Sequence, residues 1–193
     1  MEVQLKISTE LKLTVSEAQF EALTYLNQDL RLERNSTGEL IVNPPTGGGT
    51  GKRNFSLNGQ LYKWYEQYPE LGEAFDSSTG FRLPNGANRS PDASWVTHQR
   101  WEELTEEQQE QFIPLCPDFV VELRSKSDRL EPLQAKMREY IHHGARLGWL
   151  IDRYNRRVEI YRHGMDVEIL EQPAELSGED ILPGFVLNLR DLW

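Results

Sequence analysis

Two acidic residues set in apolar surroundings are the first candidates for chemistry. Glu122 lies in Pro117-Asp118-Phe119-Val120-Val121-Glu122-Leu123-Arg124-Ser125, and Asp92 in Ser90-Pro91-Asp92-Ala93-Ser94-Trp95-Val96. Burying an unpaired carboxylate is costly, so an acid in such a stretch needs a partner. A divalent cation is one. Magnesium prefers hard oxygen ligands and keeps several waters, so two carboxylates suffice, with the Leu123 carbonyl as a further donor. The chemistry this suits is hydrolysis of a phosphodiester, in which the metal neutralises charge and generates the nucleophile. A lysine beside the acids would orient or deprotonate the attacking water, or stabilise transition-state charge. The expected ion is Mg²⁺, with Mn²⁺ as a substitute.

Those residues need strands to hold them. At period two, Phe119, Val121 and Leu123 share one face; Asp118, Val120, Glu122 and Arg124 share the other. Asp118 is displaced from Glu122 by ~13 Å of extended chain and reads as equally suited to a salt bridge or strand entry. Asp92, Ser94 and Val96 fall on one face of a second strand. Between the two, Thr105-Glu106-Glu107-Gln108 opens a short acidic helix through about Phe112 with a capping box, so the two strands can be neighbours joined by an excursion. After Ser125 a helix runs to about His143, with Asp128 as N-cap, Pro132 in the first turn and Gly144 beyond its end. Leu130, Leu133 and Met137, with Tyr140 or Ile141, form its apolar face. Lys136 and Tyr140, four apart, point the same way at the border.

The remaining elements read from pattern and punctuation. Leu11 to Leu13 alternate. Ser16 and Gln19 make a capping box for a helix carrying Phe20, Leu23 and Leu26 or Asn27. Leu30–Glu33 and Glu39–Val42 flank Asn35-Ser36-Thr37-Gly38 as a hairpin that Pro44-Pro45 stops. Thr46-Gly47-Gly48-Gly49-Thr50-Gly51-Lys52 has the flavour of a phosphate loop but the wrong spacing, with Thr46 in place of the first Gly and Arg53 in place of Ser or Thr. A flexible connection is expected there, with Lys52 and Arg53 within reach of a phosphate backbone. Leu57, Leu61, Trp64 and Tyr68 mark a helix over about 56–68. Short strands follow at Phe75–Ser77 and Phe81–Pro84, with Asn85-Gly86 as a turn. Leu147–Asp152, Arg157–Arg162, Val167–Leu170 and Ile181–Leu187 read as further strands.

The chain has 193 residues, 38% hydrophobic and 27% charged, which suits an ordinary domain with a core. No apolar run is long enough for a membrane helix, and Met1-Glu2-Val3-Gln4-Leu5-Lys6 has no signal-peptide pattern. The single cysteine, Cys116, excludes an internal disulfide and fits a cytoplasmic setting. A net charge of −10 argues against nonspecific clinging to nucleic acid, but leaves room for a local basic groove. His142-His143 do not form a metal pair, because adjacent helical residues diverge.

Taken in order, these motifs resemble the restriction-endonuclease-like superfamily known by the pattern PD-(D/E)xK, and more closely its Uma-type cyanobacterial proteins. The resemblance rests on 44–48, Gly80–Gly86, Ser90–Trp95, Pro117–Ser125, Gln134–Met137 and Gly144–Asp152, and covers most of the chain. It implies an α/β (α+β) fold, a mixed β-sheet flanked by helices with an N-terminal helix and hairpin. One domain is expected over 1–193, with helix and hairpin at 1–50, nuclease-like core at 54–162 and C-terminal strands at 163–193. It implies Asp92 and Glu122 as metal ligands and DNA as substrate. The pattern would place Lys two residues after Glu122, where this chain has Arg124. Arginine stays protonated and cannot act as a base. Either Arg124 serves as an electrostatic clamp, or Lys136 supplies the ammonium from the following helix, with Tyr140 and Gln134 as lesser candidates, or the site binds metal and no longer cuts. The expected catalytic set is Asp92, Glu122, Lys136 and Arg124. Competing readings are a non-catalytic interaction module on the same fold, and a structural subunit of a homo-oligomer; a homodimer is expected.

Overall fold

The computed structural model describes residues 12–193, so Leu11 and the first residues of the chain lie outside it. Ser16 opens α1 (Glu17–Leu26) with the expected capping box: its Oγ accepts from Gln19 N at 3.2 Å, and Gln19 Oε1 accepts from Ser16 N at 2.8 Å. The hairpin follows as β1 (Arg31–Arg34) and β2 (Leu40–Asn43), paired antiparallel with Leu32 opposite Val42. Asn35 Oδ1 holds the turn by accepting from Thr37 N and Glu39 N.

The glycine-rich stretch is not a flexible connection. It forms the first turn of α2 (Gly48–Tyr65), with Gly47 as N-cap. Each glycine there costs about 1 kcal/mol relative to alanine, so contacts elsewhere in the protein must hold this turn in the helix. Leu57, Leu61 and Trp64 anchor it in the core, and Arg53 ties its start down by donating to the carbonyls of Gly49 and Leu192. A short turn at Pro69–Leu71 leads to β3 (Gly72–Asp76), then β4 (Phe81–Arg82), β5 (Asn88–Arg89) and β6 (Ala93–Thr97). The excursion between the two acid-bearing strands is α3 (His98–Glu102) and α4 (Glu106–Gln109), the latter with the expected Thr105 capping box. Then come β7 (Phe119–Leu123), α5 (Leu130–His142), β8 (Leu147–Asp152), β9 (Arg157–Arg162) and β10 (Glu168–Glu171). The end pairs β11 (Glu175–Ser177) with β12 (Val186–Asn188). The apolar run from Ile181 is therefore only partly strand: Leu182 N donates to Gly178 O and Phe185 N to Leu182 O, turning the chain before β12.

The main sheet has the order β10-β9-β8-β7-β6-β3, with only β7 and β8 parallel. A parallel pair needs a crossover, and α5 supplies it. A smaller sheet, β2-β1-β5-β4, joins the N-terminal hairpin to the segment before β6. The mixed sheet flanked by helices is the architecture expected above. Phe119, Val121 and Leu123 enter the core under α2, together with Trp64, Trp95, Trp149 and Phe185. Val120 enters the core under α5, with Met137, Tyr140, Leu150 and Tyr161. The period-two reading of β7 thus separates two buried faces. Gly148 lets α5 approach closely: a Cβ there would lie 2.5 Å from Met137 Cε and 3.2 Å from Val120 Cγ2. α5 is capped by Arg129 rather than Asp128, whose carboxylate instead accepts from Ser125 N at 2.7 Å and shapes the preceding turn.

Candidate active site

Asp92 and Glu122 meet at the end of β7. Ala93 pairs with Val121, and Asp92 N donates to Val121 O at 3.0 Å, so the chain enters β6 beside the last residues of β7. The side chain of Asp92 extends that pairing, its Oδ2 accepting from Leu123 N at 2.8 Å. In an extended strand the N–H and C=O of one residue leave on the same edge, so the Leu123 carbonyl faces the same gap. Asn54 of α2 donates to Asp92 Oδ1 at 3.3 Å, and Asn58 to its carbonyl at 3.0 Å.

Glu122 projects to the α5 side. Lys136 and Tyr140, one helical turn apart, converge on one of its oxygens: Lys136 Nζ stands 2.7 Å from Oε1, and Tyr140 donates its hydroxyl to Oε1 at 3.1 Å. Oε2 takes no hydrogen bond among the described residues. Lys136 also reaches Glu33 Oε1 at 2.9 Å, across 103 residues of chain. Glu33 in turn pairs with Arg89 at 3.3 Å, and Arg89 with Glu139 at 2.7 Å. All of these side chains are buried or nearly so.

The electrostatics follow from burial and from who faces whom. Burial pushes the Glu122 carboxyl up, and the negative charges of Asp92 and Glu33 push further; Lys136 opposes them, leaving it at about 7. Burial also raises Asp92, against the Leu123 N–H, Lys136, Arg31 and Asn54. Burial opposes the charge on Glu33 too, but Lys136 and Arg89 outweigh it and hold it below the usual carboxylate range. Desolvation likewise disfavours charge on Lys136, but Glu122 and Glu33 raise it, so it remains an ammonium. Two carboxyls raised by burial, one with an uncommitted oxygen, form a site that a further cation would stabilise. Among the described residues no three His, Cys, Asp or Glu side chains converge as a metal cluster, so a metal would rest on two carboxylates, backbone and water. That donor set is all oxygen and suits magnesium or manganese.

Three of the four expected catalytic residues, Asp92, Glu122 and Lys136, are thus brought together. Arg124 is directed elsewhere: its Nη1 pairs with Asp152 at 2.7 Å and its Nε donates to Asp128 O at 3.2 Å. There it borders a shallow hollow with Arg53 and Arg153 at the strand ends. Gln134 also points away, donating to both oxygens of Glu159. Asp118 is structural, accepting from Thr97 N at 2.9 Å and pairing with Arg100 at 3.1 Å. Sequence reasoning missed Glu33, Arg89 and Arg31. Arg31 and Glu33 did leave a trace, two charges at period two beside Leu30 and Leu32, but the same pattern describes the solvated face of any hairpin strand.

The comparisons agree with this architecture. The model of the Uma2 family, described as "Putative restriction endonuclease", matches residues 17–190. Among solved structures, a protein of Anabaena variabilis ATCC 29413 described as a "putative nuclease belonging to DUF820" superposes with a TM-score of 0.70 at 19% identity, over 83% of this chain and 88% of that one. No protein of curated function matches the chain. Among the described residues, no helix is long and apolar enough to cross a membrane.

Proposed function

The chain belongs to the Uma2 family, and from that premise we propose that it is a Mg²⁺-dependent nuclease that hydrolyses DNA phosphodiester bonds at the Asp92–Glu122 site. The observation that carries the reading is the buried pair of acids at the end of β7 with the Lys136 ammonium against one of them. Asp92 and Glu122 would hold the ion, Mg²⁺ or in its place Mn²⁺. Bound there, it would supply charge neutralisation at the phosphate and a more acidic water.

The chain's own groups divide the rest of the work. Lys136 is kept protonated by Glu33 and Glu122, so it acts as a donor to developing negative charge rather than as a base. Tyr140 holds Glu122 Oε1 in place, leaving Oε2 for the ligand. Glu33 positions Lys136, and Arg89 positions Glu33. Arg124, with Arg53 and Arg153, offers contacts to flanking phosphates from the hollow at the strand ends. These arginines would supply a local basic surface against a net charge of −10, with part of the Arg124 charge taken up by Asp152. In this proposal the protein is a cytoplasmic homodimer, and light scattering of the purified protein checks the oligomeric state.

The test is cleavage of supercoiled plasmid in Mg²⁺ or Mn²⁺ by wild type, D92N and E122Q. Nicking by wild type alone is expected. Absence of both cutting and divalent-metal binding in wild type refutes the reading; equal cutting by all three refutes the site. A second reading, an interaction module on a nuclease-like fold, is favoured by one observation: Lys136 and Tyr140 already occupy Glu122 Oε1. Calorimetric titration with Mn²⁺ separates the two, since the module predicts no uptake dependent on Asp92.

A further inference from the structure

The N-terminal hairpin carries a second charge toward the site. Arg31 and Glu33 are two residues apart on β1, so their side chains leave the same face of the strand. Glu33 on that face reaches Lys136 Nζ at 2.9 Å, which fixes where the face points. Arg31 therefore stands ~7 Å further along the same face. β1 runs antiparallel to β5 with Arg34 opposite Asn88, so three residues back Arg31 comes level with Pro91, next to Asp92. It nevertheless forms no ion pair with Asp92 among the described residues, and its Nε is buried without any hydrogen-bond partner.

On the other side of Asp92, Asn54 donates through Nδ2 while its Oδ1 is likewise buried and unpartnered. The protein thus leaves one donor and one acceptor without a protein partner on either side of the same buried carboxylate. Leaving such atoms unsatisfied costs free energy, and functional sites are where native proteins tolerate it. The unfilled donor belongs to a guanidinium, whose planar fork matches two oxygens of a phosphate and whose charge is permanent. Every other cation at the centre of the site is ion-paired, Lys136 with Glu33 and Glu122 and Arg89 with Glu33 and Glu139, whereas Arg31 has no such pair among the described residues.

We propose that Arg31 grips a non-bridging oxygen of the substrate phosphodiester beside Asp92, so that the N-terminal hairpin supplies the phosphate subsite of the active centre. The assignment rests on the nuclease reading for its substrate class, and on the hairpin geometry for the residue. It makes Arg31 a binding residue and distinguishes it from Glu33, which acts through Lys136.

The experiment measures binding of a short DNA duplex by fluorescence anisotropy in Ca²⁺ over a range of salt, and plasmid cleavage in Mg²⁺. It uses full-length wild type, R31Q, R31K and the exposed control R190Q, each checked for native circular dichroism. The expected result for R31Q is affinity lower by about tenfold or more, a salt slope reduced by about one, and loss of cleavage. R31K retains the charge without the fork and should recover part of the affinity. R31Q behaving like R190Q in both assays overturns the assignment while leaving the nuclease reading intact. Binding that depends on Arg31 without cleavage by any protein keeps the subsite and removes the nuclease. Wild type that binds no duplex at all overturns both.

Discussion

Replacing Lys136 by Met removes the ammonium that Glu33 and Glu122 share while keeping much of the apolar stem. In the wild type, Glu122 ionises at about 7, against 4.5 as its ordinary value. A carboxyl raised in the fold makes stability fall as pH climbs from the unfolded value to the folded one, here by roughly 3 kcal/mol in all, and level off above it. In K136M the main influence opposing burial is gone, and Asp92 and Glu33 still repel. Glu122 then stays protonated past pH 7, and the decline continues at about 1.4 kcal/mol per pH unit. Glu33 keeps Arg89 at 3.3 Å, so the pH-independent part of the loss sits near the low end for a broken buried pair, about 3 kcal/mol. The expected deficit is therefore about 3 kcal/mol at pH 6–7, rising to about 5–6 kcal/mol by pH 9. Urea unfolding followed by tryptophan fluorescence at pH 6, 7, 8 and 9, with constant m, measures it. A deficit flat in pH refutes the reasoning, as does a rise that persists when Glu122→Gln is present in both proteins.

Three further outcomes are expected. Y140F removes a hydroxyl that donates to Glu122 at 3.1 Å; urea melts should show a loss of about 1.5–3 kcal/mol above pH 7 and less below, where the carboxyl is protonated. Asp152 is held below its ordinary value of 3.8 because Asn155 and Arg124 outweigh its burial; its contribution is full above that pH and lost as pH falls through the folded value, so D152N should flatten the acid limb of a pH–stability curve. Burial pushes the Cys116 thiol up to about 12, and its Sγ donates to Tyr140 O at 3.4 Å; a thiol reagent at pH 8 should label it in urea and leave the native protein essentially unlabelled.

What could be read in the sequence was the part governed by local period. The two faces of β7, the α1 and α4 capping boxes, the hairpin around Asn35–Gly38, and Lys136 with Tyr140 one turn apart all follow from spacing. So did the pairing of the Asp92 and Glu122 segments, because the helical excursion between them could return the chain. The start of α2 was hidden because its first turn is glycine-rich, and the contact that ties it to the rest of the protein, Arg53 to Leu192 O, comes from 139 residues away. Ile181–Leu187 looked like one strand because apolar runs do not reveal where Gly178 and Leu182 turn the chain. Glu33, Arg89 and Arg31 were invisible as site residues for a related reason. A charge in a short strand has the same appearance whether it meets water or a buried lysine, and only the packing of the small sheet against α5 decides which.

The contact from Glu33 to Lys136 closes a loop of 103 residues. The chain entropy of such a closure is about 4 kcal/mol beyond a constant, more than one buried ion pair returns. The hairpin must therefore be carried into place by its own apolar and backbone contacts, such as Leu32 in the core and Arg34 donating to Val15 O and Gly86 O. Contacts of high sequence separation form late in folding. Hydrogen exchange during refolding should accordingly show β7 and β8 protected before β5, whose partner β1 lies 54 residues away at Arg34 opposite Asn88. Until the hairpin docks, Lys136 has only one of its two carboxylates, and the centre remains chemically incomplete in a chain whose main sheet is already built.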